Sequence, residues 1–234
     1  MRSALTAELG AGLPTHFSLL AALARAPNLE WRDVVRWSGV EESAASRYVR
    51  ILEESGIVEA ANPALAAHSA RRRRYRIADR FTRFWFGFVF PHQAELAAGL
   101  RPDEHYDRSV APFLGPYVAD AFEEICRDWL RERHRDLAEA VAPWWGLARR
   151  DLRRRGAGSS EEIGALGTRD REVTVAADCH WQSRPVGLEV LRGLLERKLP
   201  ALHEAGAEGR RTEDRPLLQE RLRARPGRRG LGPR

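Results

Sequence analysis

Tyr75–Pro91 reads YRIADRFTRFWFGFVFP, and the rest of the chain can be placed from it. Tyr75-Arg76-Ile77 alternates apolar and polar side chains, the pattern of a short half-buried strand. Asp79 follows, a residue type whose carboxylate caps helix N-termini. Phe81, Phe84, Trp85 and Phe88 then recur at helical spacing, and Phe86, Val89 and Phe90 cover much of the remaining surface. The pattern predicts a helix buried on several sides and ended by Pro91. It is too short to span a bilayer. We read it as the joint on which an N-terminal and a C-terminal domain both pack.

Upstream of the joint, residues 1–14 are Gly- and Ala-rich and read as a frayed lead-in. Phe17, Leu20, Leu23 and Ala24 predict a first helix from Thr15 to Arg25. A second fits Glu30 to Trp37, with Val34 and Val35 inward and Gly39 as its stop. A third fits Glu42 to Glu54, burying Tyr48, Ile51 and Leu52, with Gly56 placed for a left-handed cap. A short strand, Ile57-Val58-Glu59, a loop and a returning strand, Arg74 to Ile77, complete the unit. Three helices followed by a two-stranded ribbon is the order of a winged helix-turn-helix over residues 15–91.

The third helix carries Ser43, Ser46, Arg47 and Arg50 on one polar face. In a helix-turn-helix protein that face enters the major groove, where serine reaches phosphate or base edges and arginine forks onto guanine. The ribbon loop ends in Arg71-Arg72-Arg73-Arg74, a basic wing tip suited to phosphate or minor-groove contact. DNA is therefore the expected partner. The plainer alternative is a solvated polar face on a small domain used for protein contacts.

Downstream, residues 92–109 are polar and contain Pro102, and read as a connector. An amphipathic helix is expected from Pro116 to Arg135, burying Tyr117, Phe122, Ile125, Cys126 and Trp129, with Glu123 and Glu124 at its middle. Trp144-Trp145-Gly146 follows. That pair could stack on bases, but tryptophan is more often core. After an arginine-rich loop, Arg149 to Ser160, strands are expected near Glu162–Leu166 and Val173–Cys179, joined by a turn at Gly167–Arg171. A last helix from Leu188 to His203 would turn Leu191, Leu194, Leu195 and Leu199 inward. Residues 206–234 read as a disordered, Arg-rich tail. The expected fold class is α+β or α/β, with residues 110–205 forming the second domain.

Across its 234 residues the chain is 43% hydrophobic, enough for real cores, and carries a net charge of +6. The absence of a signal-type or membrane-spanning apolar run leads us to expect a soluble cytoplasmic protein with no membrane partner. The basic balance favours an anionic partner, with one discount. Lys198 is the only lysine, a skew that resembles coding bias, so part of the arginine is background. Cys126 and Cys179 are far apart without a CxxC partner, which argues against a disulfide framework and a zinc module and for two small buried hydrophobes. The seven histidines are scattered, no His-x3-His helix occurs, and no Gly-x-Ser-x-Gly elbow is present.

YRIADRFTRFWFGFVFP, the FEEICRDWL of Phe122–Leu130, and the trio WWG, EEIGAL and DCHW together resemble the C-terminal region of the archaeal-type ATPase family. The resemblance implies a winged helix followed by a restriction-endonuclease-like domain of unknown function, and covers about Thr15 to Leu202. In that family a P-loop ATPase domain precedes both. Here a Walker A loop is missing: Lys198 is followed by Leu199, and no Gly-x4-Gly-Lys-[Ser/Thr] run occurs. The resemblance therefore implies, as a second partner, a P-loop ATPase domain or subunit acting in trans.

The resemblance also implies where a nuclease site would sit. Its pattern is roughly Glu-Ile-Asp on one strand and Glu-Cys-Lys-Trp on the next, the carboxylates holding Mg²⁺ and the lysine supporting the attacking water. A helix acid can assist, and Glu123 or Glu124 matches it. This chain reads Glu162-Ile163-Gly164 and Asp178-Cys179-His180-Trp181. Gly164 stands in the first ligand position. Asp178 keeps one carboxylate as the remaining metal-ligand candidate, and His180 replaces the lysine. Glu162 shares a strand face with position 164 but lies almost 7 Å away by ordinary strand rise. The expectation is a DNA-binding or regulatory module whose nuclease-like domain is degenerate, with no cofactor. A weak Mg²⁺-dependent endonuclease using Asp178, or an interaction fragment for a separate ATPase, are the alternatives.

Overall fold

The computed structural model describes residues 12–65, 73–147 and 160–205. It is a mixed α+β chain with two small antiparallel sheets. Helix α1 (Leu13–Leu23) is followed by a short strand β1 (Leu29–Glu30), then α2 (Trp31–Ser38) and α3 (Glu42–Glu54). Gly39 stops α2 at φ 66°, a left-handed turn that glycine adopts without strain. Glu41 starts α3: its carboxylate accepts the Ser43 and Ala44 backbone N–H groups at 3.0 and 3.1 Å, satisfying two donors with no helical partner. Strands β2 (Val58–Ala61) and β3 (Arg74–Ile77) pair antiparallel, and β1 adds to the other edge of β3, giving the order β1-β3-β2. The core beneath these elements joins Leu19, Leu20 and Leu23 of α1 to Val34, Val49, Leu52, Val58 and Ile77.

The joint is helical as expected, and Asp79 caps it by accepting the Thr82 N–H at 2.6 Å. Helix α4 (Arg80–Phe84) passes into a π-helical turn (Trp85–Val89), a 3₁₀ turn (Phe90–His92) and helix α5 (Gln93–Ala97). The path thus continues beyond Pro91, contrary to expectation. Pro91 opens the 3₁₀ turn, where its lacking N–H costs no bond. Phe86 is buried in the N-terminal core, with its ring 5.3 Å from Phe17. Phe84 and Phe88 instead meet Tyr117 of the C-terminal half at 5.9 and 5.6 Å. The same stretch therefore packs both ways. Phe81 does not take part: it is 63% exposed.

The expected connector is also helical. Helix α6 (Pro102–His105) runs through a π turn (Tyr106–Val110) into α7 (Ala111–Arg133). Pro102 marks a helix start, and Pro116 lies inside α7, where one missing donor costs one bond while later turns continue. The inward face of α7 differs from expectation too. Ile125 and Trp129 are more than half exposed, whereas Arg127 is buried. Arg127 is drawn in because it meets a bare backbone carbonyl, Gly164 O, at 2.8 Å.

The second sheet has the order β4-β5-β6, from β4 (Ala140–Leu147), β5 (Ser160–Arg169) and β6 (Glu172–Ala177). Trp144 and Trp145 lie within β4 and are buried, as core residues. A bulge at Pro143 interrupts the β4–β5 register, as proline requires in a ladder. Strands β5 and β6 are joined by a two-residue turn, Asp170 and Arg171, both at positive φ. That is the primed geometry a tight hairpin needs, and it is shorter than the turn expected. Helix α8 (Leu188–Gly193), a π turn (Leu194–Lys198) and α9 (Leu199–Glu204) close over the sheet. Leu194, Ala201 and Leu202 join Trp144, Ile163 and Leu166 in a second core, while Leu195 is 45% exposed. No helix among the described residues is long and apolar enough to cross a membrane.

Candidate functional site

Two regions gather the residues that the sequence singles out. The first is an open groove of about 900 Å³ between α3 and β3. Ser43, Ser46, Arg47 and Arg50 of α3 line it together with Arg32, Arg73, Tyr75 and Trp31. All four α3 residues are exposed. Arg47 rests over the Tyr48 ring at 4.8 Å, which preorganises the guanidinium. Arg50 faces Glu54 at 3.7 Å with both side chains exposed, a pair worth little in water. The Ser43 hydroxyl donates to Glu41 and so belongs partly to the helix cap. Glu30 and Glu53 also line the groove, but arginines outnumber them.

Of the four arginines expected at the ribbon tip, Arg71 and Arg72 lie outside the described residues. Arg73 lines the groove. Arg74 points the other way: it is buried, pairs with Glu162 and lies over Trp145 at 4.7 Å. It is therefore committed to the contact between the two halves rather than to an outside phosphate.

That contact is an electrostatic seam. Arg74 meets Glu162, Arg76 meets Glu124, Arg80 meets Glu124 at 3.1 Å, and Arg83 meets Asp120. Tyr117 adds a hydrogen bond, its hydroxyl donating to Arg80 O at 2.7 Å. The backbone of the ribbon joins in through Ala64 N donating to Pro143 O at 2.8 Å.

The second region is a pocket of about 200 Å³ at the seam's edge. Glu123, Glu162, Gly164, Asp178, His180 and Lys198 line it. The candidates singled out on the two strands and on α7 thus line one pocket. A Cβ on Gly164 would stand 3.5 Å from Glu123 Cδ and 3.6 Å from Cys179 N, so position 164 faces the same space as Glu123. Glu124, one residue on, turns away into the seam. His180 lies at the exposed edge, and the Trp181 ring after it meets Phe122 in a tilted contact at 5.5 Å.

Each carboxylate in the pocket already has a cation. Lys198 reaches from the last helical segment to Asp178 at 2.7 Å. Arg127 lies 3.6 Å from Glu123 while donating to Gly164 O. Arg74 holds Glu162. Desolvation pushes the Glu123 carboxyl above its usual range against the pull of Arg127, and the same burial lowers the Arg127 guanidinium. These residues do not fit Mg²⁺. The ion needs free, near-octahedral oxygen ligands, and here one ligand position is a glycine and the remaining acids are neutralised by fixed charges.

Three features of this region escape sequence reasoning. Lys198 carries a signal in hindsight, since a sole lysine in an arginine-rich chain invites a question about its neighbours. Arg127 sits four residues after Glu123, the spacing of a helical ion pair. The third is a pair of thiols: burial, with the neighbouring Cys126, pushes the Cys179 thiol up to about 12, although nothing in their sequence spacing indicates that they are neighbours. Both are free and half-buried rather than buried.

Residues 85–191 match the DUF234 family, described as archaea bacterial proteins of unknown function. The match starts in the joint and ends in α8. It takes in α7, all of the second sheet and most of the pocket, but not Lys198. Over 100 residues the chain is 25% identical to an uncharacterized protein of Methanocaldococcus jannaschii. That stretch is 43% of this chain and 22% of the archaeal protein, so the similarity spans about a fifth of the relative's length. No solved structure matches the chain significantly.

Proposed function

We propose that this chain is a DNA-binding module: a winged-helix unit contacts duplex through α3, and a nuclease-descended domain serves as scaffold rather than as enzyme. The observation that carries the reading is the groove, in which Ser46, Arg47, Arg50 and Arg73 from separate elements face one open space. The order of helices and strands supports a winged helix, and the polar face of α3 is the face such a unit presents to the major groove. The compensated pocket supports the second half of the reading, because no carboxylate there is free to take a metal ion. The resemblance to the ATPase family's C-terminal region supports a second partner, a P-loop ATPase domain or subunit supplied in trans.

One preparation tests both halves. Fluorescence anisotropy with a labelled duplex is expected to give binding that weakens steeply with salt, as counterion release demands. The same protein incubated with supercoiled plasmid and Mg²⁺ is expected to leave it uncut. Cutting that chelation abolishes and Asp178→Ala removes would overturn the scaffold reading. Salt-insensitive or absent binding would overturn the DNA reading.

A further inference from the structure

We propose that the groove between α3 and β3 takes an unpaired base, so that the DNA it prefers carries a single-stranded segment beside the duplex. The inference rests on the DNA-binding reading above and names its ligand more closely. Exposed arginines on the rim suit any phosphate backbone. The floor is different in kind: half-buried Trp31 and Tyr75 and buried Val49 line the same space as Arg47, Arg50 and Arg73. The Trp31 and Tyr75 rings stand 5.4 Å apart, tilted by 54°. The fold holds both rings in place. Antiparallel pairing sets Leu29 opposite Tyr75 and Glu30 opposite Arg74, which brings Trp31, the next residue, beside β3. Trp31 Nε1 donates to Glu42 Oε1 at 2.9 Å, fixing the indole edge against the first turn of α3. Tyr75 lies on the central strand, paired on its other side with Ala60. A platform ordered in advance gives up little freedom on binding.

In a paired duplex the bases stack on one another and show only their edges in the grooves, so an aromatic floor finds no base face to meet. An unpaired base offers its π-face, and stacking on an aromatic side chain accepts any base. The acids of the groove fit the same ligand. Glu30 and Glu53 line it, and carboxylates there repel the phosphates of an intact duplex. Toward an unpaired base a carboxylate is an acceptor for an exocyclic amine, as on cytosine. Glu30 is engaged by Arg32 at 3.0 Å, so Glu53 is assigned to the base edge. The groove thus divides a nucleotide: the base goes to Trp31 and Tyr75, its amine toward Glu53, and the flanking phosphates to Arg47, Arg50 and Arg73.

The test measures binding of the full chain, by fluorescence anisotropy, to labelled probes of equal phosphate number: a paired duplex, a fork with two unpaired arms, and the same fork with abasic arms. The fork is expected to bind about tenfold more tightly than the abasic fork, the effect of one stacked base. Trp31→Ala is expected to lose that advantage, and Trp31→Phe to keep most of it. Irradiation of a fork carrying iodouracil in its arms is expected to crosslink Trp31 or Tyr75 of the unaltered protein, which locates the base even if the alanine variant fails to fold. Equal, salt-dependent binding of fork and abasic fork would overturn the proposal and leave the DNA-binding reading standing. Binding of none of the probes would overturn both. A fork advantage retained by Trp31→Ala, or crosslinks confined to residues outside the groove, would place the base elsewhere and overturn the proposal as well.

Discussion

Lys198 is the residue whose position says most about the pocket. Its ammonium lies 2.7 Å from Asp178, with the carboxylate only 7% exposed. A buried carboxylate stripped of its partner is costly, because its desolvation is no longer offset. Lys198→Met is therefore expected to lower stability by about 3 kcal/mol, read as a fall in the urea midpoint. Adding Asp178→Asn to that variant should recover most of the loss, since it removes the orphaned charge. If the single variant is neutral, the pair is not what holds this pocket closed.

His16 supplies a pH signature at the same scale. It is 1% exposed in α1, edge-on to Tyr48 of α3 at 4.8 Å. Burial is the main influence and lowers its imidazole below the ordinary value. The unfolded chain takes up a proton as pH falls through about 6.5, and the folded chain resists it. Stability from this group is thus present at higher pH and drains away on acidification. His16→Phe, similar in size, is expected to flatten the fall in denaturant midpoint between pH 7 and pH 5. An unchanged slope would assign that pH dependence to other groups. Neither behaviour is legible from sequence. A lone histidine on an apolar stripe does not disclose its burial. Lys198 and Asp178 are twenty residues apart, and they meet only when α8 and α9 close over the sheet.

Among elements, the seam is where the two halves are coupled. Glu124 alone receives Arg76 and Arg80, and its side chain is 19% exposed. Glu124→Ala leaves Arg80 without its acceptor and reduces Arg76 to its pair with Glu59 of the N-terminal half. It is expected to separate one calorimetric transition into two, with the half containing α7 melting first. A single transition in the variant would mean that the aromatic contacts of Phe84 and Phe88 with Tyr117 suffice for coupling. Much of this level can be read from sequence. The bounds of α3 and β3 follow from periodicity, from Glu42 to Glu54 and from Arg74 to Ile77, and the Asp79 cap follows from residue type. Proline is where such reading misleads. Pro91 and Pro102 sit in a first helical turn, where the missing N–H would have no helical partner, and Pro116 removes one bond from a helix that continues past it. The inward face of α7 is hidden for a related reason: hydrophobic periodicity assumes an apolar partner surface, and Gly164 offers a carbonyl instead.

At the scale of the whole molecule, the charges divide their labour by position. The ribbon and joint arginines Arg74, Arg76, Arg80 and Arg83 pair with acids of the C-terminal half, Arg76 with Glu59 as well. Those on α3 and at Arg73 remain directed outward. The net charge of +6 therefore overstates some arginines and understates others as contacts for an anion, and only the folded chain sorts them. Of the pocket acids, Glu162 serves as a counter-charge for Arg74 of the seam, while Asp178 and Glu123 pair with Lys198 and Arg127. On the proposed reading the outward arginines of α3 and Arg73 would meet a polyanion, while the acids of the pocket stay paired with Lys198, Arg127 and Arg74.

The most direct measurement is the salt dependence of duplex binding by the wild-type chain and by Arg47→Ala/Arg50→Ala. Each phosphate that the protein no longer neutralises should reduce the slope of log K against log salt by about 0.9. The double variant is expected to bind more weakly, with a slope shallower by roughly 2. Equal affinity and equal slope across the salt series would contradict the DNA-binding reading, and would mean that α3 is not the face that meets the duplex.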